Sequence, residues 1–269
     1  MSQLCHYTSG HGLMGILDSQ SIWATNIHQL NDAREFRHAV GMAQEALQAE
    51  GRNGTPGTVE IVRELCSLLE RAQALSVYVV SFSEEGDALS QWRGYCPDGF
   101  GYCIEFDRNV LAEVAKGAGF FLRRCVYDQM TQRAWLSRWA ESCLKIALKR
   151  AEPSEAEISL AEKCDPHITQ LLLEAPFFKH HTFAEEREWR MARVVSSDDP
   201  KLRLRAGKSM LIRYFPIDLD LSDTCRTIYR IRVGPTPHPQ LALEGLTFYF
   251  QHVHIVNGIC NSEVPYRAW

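Results

Sequence analysis

Three clusters in this 269-residue chain bring together side chains able to do chemistry. The first is Cys5-His6-Tyr7-Thr8, with Ser21-Ile22-Trp23 following. A histidine at the end of an N-terminal strand can face a cleft, where its ring bonds a ribose hydroxyl or an amide. The alternative is a histidine satisfied in the core or capping the next helix. The second cluster is Ser81-Phe82-Ser83-Glu84, followed by Gln91-Trp92-Arg93 and Tyr95. Hydroxyls two apart on a strand share a face. Trp92 and Tyr95 are three apart and can share a helical face, offering an aromatic wall for a flat ring. Equally, the aromatics belong to the core and the serines end the strand. The third cluster runs from Lys179-His180-His181 through Glu185-Glu186-Arg187-Glu188 to Trp189-Arg190. Glu186 and Glu188 stand at alternate positions where polar residues enter a strand, which suits orienting one nucleophile while stabilising a cation. Arg187 and Arg190 are placed to neutralise them instead, as a plain salt-bridge network. Gly234-Pro235 after a strand is a turn, and a fold role is expected for it and for Ser262-Glu263-Val264-Pro265-Tyr266-Arg267.

These clusters need strands to hold them. Leu4–Thr8, Ser21–Asn26, Val77–Ser83, Phe100–Phe106, Phe120–Val126, Trp189–Val195, Arg203–Arg213, Thr227–Val233 and His252–Val256 read as strands. Helical spacing marks Leu13-Ile16-Leu17, the stretch Phe36-Val40-Ala43-Leu47 behind a capping Asp32, and Ile61-Leu65-Leu68-Ala72. Asp107 caps a short helix, residues about 130–174 form two helices broken near Pro153, and Pro239–Leu246 holds one more. Strands at both ends with helices between them predict an α+β fold. It has a mixed or antiparallel sheet core, a helical insertion around 107–175, and a single domain over 1–269. No glycine-rich dinucleotide fingerprint and no phosphate-loop motif occurs.

The net charge of -4 and pI of about 6.2 argue against a nucleic-acid coat. Residues 121–150 depart from this, with seven Lys/Arg against two Asp/Glu and with Trp135 and Trp139 one turn apart. Such a stretch holds nucleic acid or is an amphipathic helix anchored by its tryptophans. The nine cysteines lack metal-ligand spacing, so no metal site is expected and the thiols read as reduced and buried. No signal-like segment and no apolar run of about 20 residues appears, so a cytoplasmic location is expected.

The whole pattern resembles a large bacterial family of domains of unknown function. The carrying residues are His6-Tyr7-Thr8, Leu30-Asn31-Asp32 with Glu35, Ser81-Phe82-Ser83, Gln91-Trp92 with Tyr95, and Lys179-His180 with Phe183, Glu186, Glu188, Trp189 and Arg190. Gly234-Pro235 and Pro265-Tyr266-Arg267 complete it. The order of His6, Ser81-Phe82-Ser83 and Glu186-Arg187-Glu188 further resembles the ADP-ribosyltransferase superfamily, as does the strand-helix-strand opening from His6 to Trp23.

That second resemblance implies an ADP-ribosyltransferase-like core and NAD as a consumed cosubstrate. Transfer would pass through an oxocarbenium-like state, with Glu188 stabilising the charge and Glu186 orienting or deprotonating the acceptor. His6 would bind the adenosine ribose and Thr8 the nicotinamide amide. Ser81 and Ser83 would shape the pocket, and Trp92 or Tyr95 would stack on nicotinamide. The acceptor would be a nucleic acid or a protein, as in a toxin or phage-defence effector with a cognate antitoxin or regulator. The rival readings are a non-catalytic nucleotide-sensing or interaction module and an NAD hydrolase. The transferase reading requires His6, Ser81 or Ser83, and Glu188 around one cleft on neighbouring strands, with His6 and Glu188 on one face. It also expects Glu188→Gln to abolish NAD consumption and leave the fold intact.

Overall fold

The chain begins β1 (Gln3–Thr8), α1 (Gly10–Ser19), β2 (Ser21–Asn26) in a computed structural model that describes residues 3–30, 33–72, 76–96, 100–149, 159–207, 209–221, 227–250 and 257–265. Asn31-Asp32, the Pro97-Asp98-Gly99 turn, Pro153, Cys225, the expected strand at 252–256 and Tyr266-Arg267 lie outside the described residues. Ser9 starts α1 because its Oγ accepts the Gly12 N–H at 3.2 Å, and Gln20 ends it in the left-handed region. Two amphipathic helices follow, α2 (Ala33–Gly51) and α3 (Pro56–Ala72), then β3 (Ser76–Ser83) and the short α4 (Leu89–Tyr95).

β4 (Tyr102–Asp107) leads into α5 (Arg108–Gly117), capped as expected by Asp107, whose carboxylate accepts from the Asn109 and Val110 amides. The stretch predicted as a helical insertion is helical in α6 (Gln129–Leu148) and α7 (Leu160–Glu174), but it also supplies an edge strand, β5 (Phe121–Arg124). β6 (Glu188–Val195) then enters the sheet. The single strand expected over Arg203–Arg213 is instead a hairpin of β7 (Arg203–Ala206) and β8 (Leu211–Asp218), closed where the Gly207 N–H donates to the Met210 carbonyl at 2.9 Å. Gly207 follows Ala206 at the point where the apolar alternation lapses, and that is where the chain reverses. β9 (Ile228–Val233), α8 (Pro239–Tyr249) and β10 (Ile259–Asn261) finish the described chain.

The strands form one open mixed sheet in the order β10-β9-β4-β1-β3-β2-β8-β7, with β6 on β3 and β5 on β6. Only β9 and β10 pair in parallel among the described strands. Side-chain alternation sends Val77 and Val79 into one core, shared with α2, α3, α6 and α7. Tyr78, Val80 and Phe82 enter the other, shared with α1, α5 and α8.

β3 is where this sheet opens. Along one edge it pairs with the whole of β6, from Ser76↔Val195 to Ser83↔Glu188. Its other edge is divided: Tyr78 and Val79 pair with Asn26 and Thr25 of β2, while Ser83 pairs with Cys5 of β1. Val80, Ser81 and Phe82 have no strand partner on that edge, and α1 links the two strands that part around them.

Candidate functional site

A cavity of about 800 Å³ fills this gap. β1 contributes His6 and Thr8, β3 contributes Ser81 and Ser83, and Glu186 and Glu188 border it from the start of β6. Tyr95 of α4, Trp23 of β2 and Arg205 of β7 close other sides. Such a volume suits a ligand the size of a dinucleotide.

Glu188 is buried at 3% exposure and sits in a dense charge cluster. Arg190 grips it as a fork, Nε to Oε1 at 2.6 Å and a terminal nitrogen to Oε2 at 3.0 Å, while Lys179 Nζ donates to Oε2. Lys179 also donates to Glu186 at 2.7 Å, and Arg190 reaches Glu35 at 3.4 Å and the Pro176 carbonyl at 2.7 Å. These five side chains carry a net formal charge of −1. Burial alone would raise the Glu188 pKa, but Arg190 and then Lys179 more than offset it and hold the carboxyl at about 2. The Glu188 amide donates to the Tyr127 hydroxyl at 2.8 Å, which fixes the strand start.

Glu186 and Glu188 converge for a different reason from the one expected. They are not alternate residues of one strand. Glu186 ends a 3-10 turn over His181–Glu186, and Arg187 adopts left-handed backbone (φ 43°) before β6 begins. It is this turn, with Lys179 between the two carboxylates, that brings them together. A non-glycine residue in that region costs of order 1–3 kcal/mol. Arg187 also pairs with Glu85, and its carbonyl accepts the Glu84 N–H at 3.2 Å, so both neighbours hold the turn.

His6 departs from the expected arrangement. The pleat sets it with Leu4 on the side of Phe82, the opposite face from Ser83 and Glu188. Its ring, 5.8 Å from that of Phe82, bonds across the gap, with Nδ1 3.0 Å from the Ser81 carbonyl oxygen. A shared cavity is therefore present and a shared face is not. Burial lowers the His6 pKa against the opposing pull of the Ser81 bond, so the ring is neutral at pH 7. A carbonyl only accepts, so Nδ1 carries the proton and Nε2 is left as an acceptor.

Ser83 is buried and its hydroxyl is committed to backbone, donating to the Glu186 carbonyl at 2.8 Å and accepting the Glu85 N–H at 3.1 Å. It ties the Glu186 turn to β3. Trp92 is a correction: it is buried at 4% exposure, packs edge-on against Tyr7 at 4.6 Å and donates to Asp87 at 2.7 Å, so it does not border the cavity. Tyr95 does border it, and the second aromatic wall is Trp23, stacked at 4.9 Å on Tyr214. Trp23 was visible in the sequence beside the first cluster. Arg205 carried no signal there, because it lay inside an apparent strand.

The tryptophans of the basic stretch turn inward. Trp139 is buried, with its indole N–H on the His167 carbonyl at 2.8 Å, and Trp135 packs on the same core. Arg133, Arg138 and Lys145 face solvent on α6, as does Lys149 just past its end. No metal-ligand cluster and no helix long and apolar enough to cross a membrane occurs among the described residues.

Residues 91–191 match the family described as Protein of unknown function (DUF2971). The match runs from α4 to β6. It takes in Gln91, Trp92, Tyr95, Lys179, Glu186, Glu188 and Arg190, and leaves His6, Thr8, Ser81 and Ser83 outside. No curated protein and no solved structure matches the chain.

Proposed function

We propose that the cavity is a dinucleotide-binding site for NAD that acts without catalysis, since the transferase reading required His6 and Glu188 on one face and they lie on opposite faces. The carrying observation is that His6, Thr8, Ser81, Ser83, Glu186 and Glu188, scattered over 183 positions of sequence, border one dinucleotide-sized cavity at the parting of the sheet. In the transferase reading, which keeps NAD as a consumed cosubstrate and passes ADP-ribose to an acceptor, Glu188 would stabilise the oxocarbenium-like ribose as nicotinamide leaves. A carboxyl held at about 2 is ionised throughout the physiological range and is a poor proton acceptor, so acceptor activation falls to the less buried Glu186. His6 offers Nε2 to a ribose hydroxyl, Thr8 meets the nicotinamide amide, Ser81 shapes the floor, and Tyr95 stacks at the mouth. The acceptor would be a nucleic acid or a protein. A toxin or phage-defence role with a cognate antitoxin or regulator belongs to the transferase reading.

The sensor reading is favoured by two specific observations. The Glu188 charge is already answered by Arg190 and Lys179, and His6 approaches from the other face. The two readings separate in one experiment. Pure protein is incubated with labelled NAD and cell lysate, then digested with nuclease or protease. The transferase predicts label in a macromolecule, released by one of the two digestions. NAD loss without labelled product identifies a hydrolase. Binding without loss of NAD rejects both enzymes and leaves the sensor.

A further inference from the structure

Arg205 is a cation without an anion. Its Nε is enclosed by protein and bonds to nothing, and its one side-chain hydrogen bond among the described residues runs from a terminal nitrogen to the Thr25 hydroxyl at 3.4 Å. No carboxylate among the described residues pairs with it. The most buried arginines differ, Arg190 holding Glu188 and Glu35 and Arg232 holding Glu105 and Asp87. Half-buried Arg193 also lacks a carboxylate among the described residues but donates to the Ala118 carbonyl at 3.0 Å, whereas the Arg205 Nε donates to nothing. Partly buried charges are ordinarily paired, because removing them from water is costly. Burial also depresses the Arg205 pKa, with Tyr214 opposing, which marks a guanidinium short of counter-charge. The group borders the cavity, and its Cζ lies 6.0 Å from the Trp23 ring.

Its place along the cavity narrows what fits. Glu188 is level with Ser83, at the β1 end of the open segment of β3, whereas Arg205 belongs to the β2 end, where Thr25 pairs with Val79. Four residues of strand separate these levels, about 13 Å. A ligand spanning them carries its anionic centre one sugar away from Glu188 and a flat ring near Trp23. The planar guanidinium fork matches phosphate oxygens two at a time.

We propose that Arg205 is the diphosphate anchor of the cavity, binding the linked phosphates of a nucleoside diphosphate group beside Trp23. This rests on the nucleotide reading of the same cavity, but its test is separable. Calorimetry of the full chain is run with ADP-ribose, inorganic pyrophosphate and nicotinamide riboside, which has no phosphate. Arg205→Gln is expected to weaken ADP-ribose and pyrophosphate at least tenfold and to leave nicotinamide riboside unchanged. Arg205→Lys keeps the charge and loses the fork, so it should fall between. Unliganded Arg205→Gln should melt no lower than wild type, since the charge removed has no carboxylate partner and only a long bond to Thr25 is lost; an arginine serving only the fold would lower it. If Arg205→Gln binds ADP-ribose as tightly as wild type, the anchor is wrong while the nucleotide reading stands. If wild type binds pyrophosphate through Arg205 but not ADP-ribose, Arg205 is a plain phosphate site and the nucleoside-diphosphate anchor falls. Failure of wild type to bind any of these phosphates removes both.

Discussion

Glu188 is where burial changes what a substitution means. Glu188→Gln keeps the shape and removes the charge, and from sequence it reads as neutral to the fold. In the structure, the neutral amide leaves Lys179 and Arg190 buried against one fewer carboxylate, at 1% and 2% side-chain exposure. Breaking such a pair costs several kcal/mol. A pKa depressed from 4.5 to about 2 corresponds to about 3 kcal/mol. In the transferase reading Glu188→Gln should abolish NAD consumption, and in either reading it should lower the melting temperature, by roughly 6–12 °C for a chain of this size. The sign with pH follows from the depression. The Glu188 contribution is complete above 4.5 and is lost as the pH falls from there toward 2. Melting curves between pH 7 and 3 should show that acid loss in wild type and a flatter profile in the variant. Equal acid sensitivity in the two would mean that Glu188 is not the buried anion described.

At the scale of elements, the short helix α4 shows what spacing alone leaves undecided. Trp92 and Tyr95 lie one turn apart, and both fit an aromatic wall. Their environments differ because of a contact across the sheet. A Cβ on Gly234 would stand 2.9 Å from the Trp92 ring and 2.9 Å from the Gly101 carbonyl, which accepts the Gly234 N–H at 2.8 Å. The end of β9 thus lies directly on Trp92, while Tyr95 is left at the cavity. Gly234→Ala should destabilise by about 1–3 kcal/mol through overpacking, measurable in denaturant, with ligand affinity per folded molecule unchanged; an unaltered midpoint would contradict the close approach. β1, β3 and β6 were legible because alternating β-branched and aromatic residues bury one or both faces, as Val77 to Phe82 do. The β7–β8 hairpin was missed because Gly207-Lys208-Ser209 was read through as part of one strand, although a glycine followed by polar residues there is a turn signal. The gap was hidden more deeply, since it depends on which distant strands share the edge of β3, and no local pattern of Val80, Ser81 and Phe82 encodes that.

For the molecule as a whole, that gap is a polar opening in an otherwise paired sheet. In an antiparallel strand, a residue's N–H and C=O leave by the same edge. The Ser81 carbonyl meets His6 in the gap, so the Ser81 N–H opens there too. Hydrogen exchange at Ser81 should be faster than at its β6-facing neighbours Val80 and Phe82, and ADP-ribose should slow it selectively. Uniform protection across all three amides, with or without ligand, would mean that the edge is closed. The walls of this opening come from residues as far apart as Cys5 and Ile212. A growing polypeptide emerging from the ribosome therefore carries His6 and Ser81 long before it carries Arg205. Whatever the cavity does must wait until the β7–β8 hairpin has been synthesised and docked. The producing cell thus gains an interval in which the chain exists but cannot act, and a partner that recognises β1 to β3 could meet it during that interval.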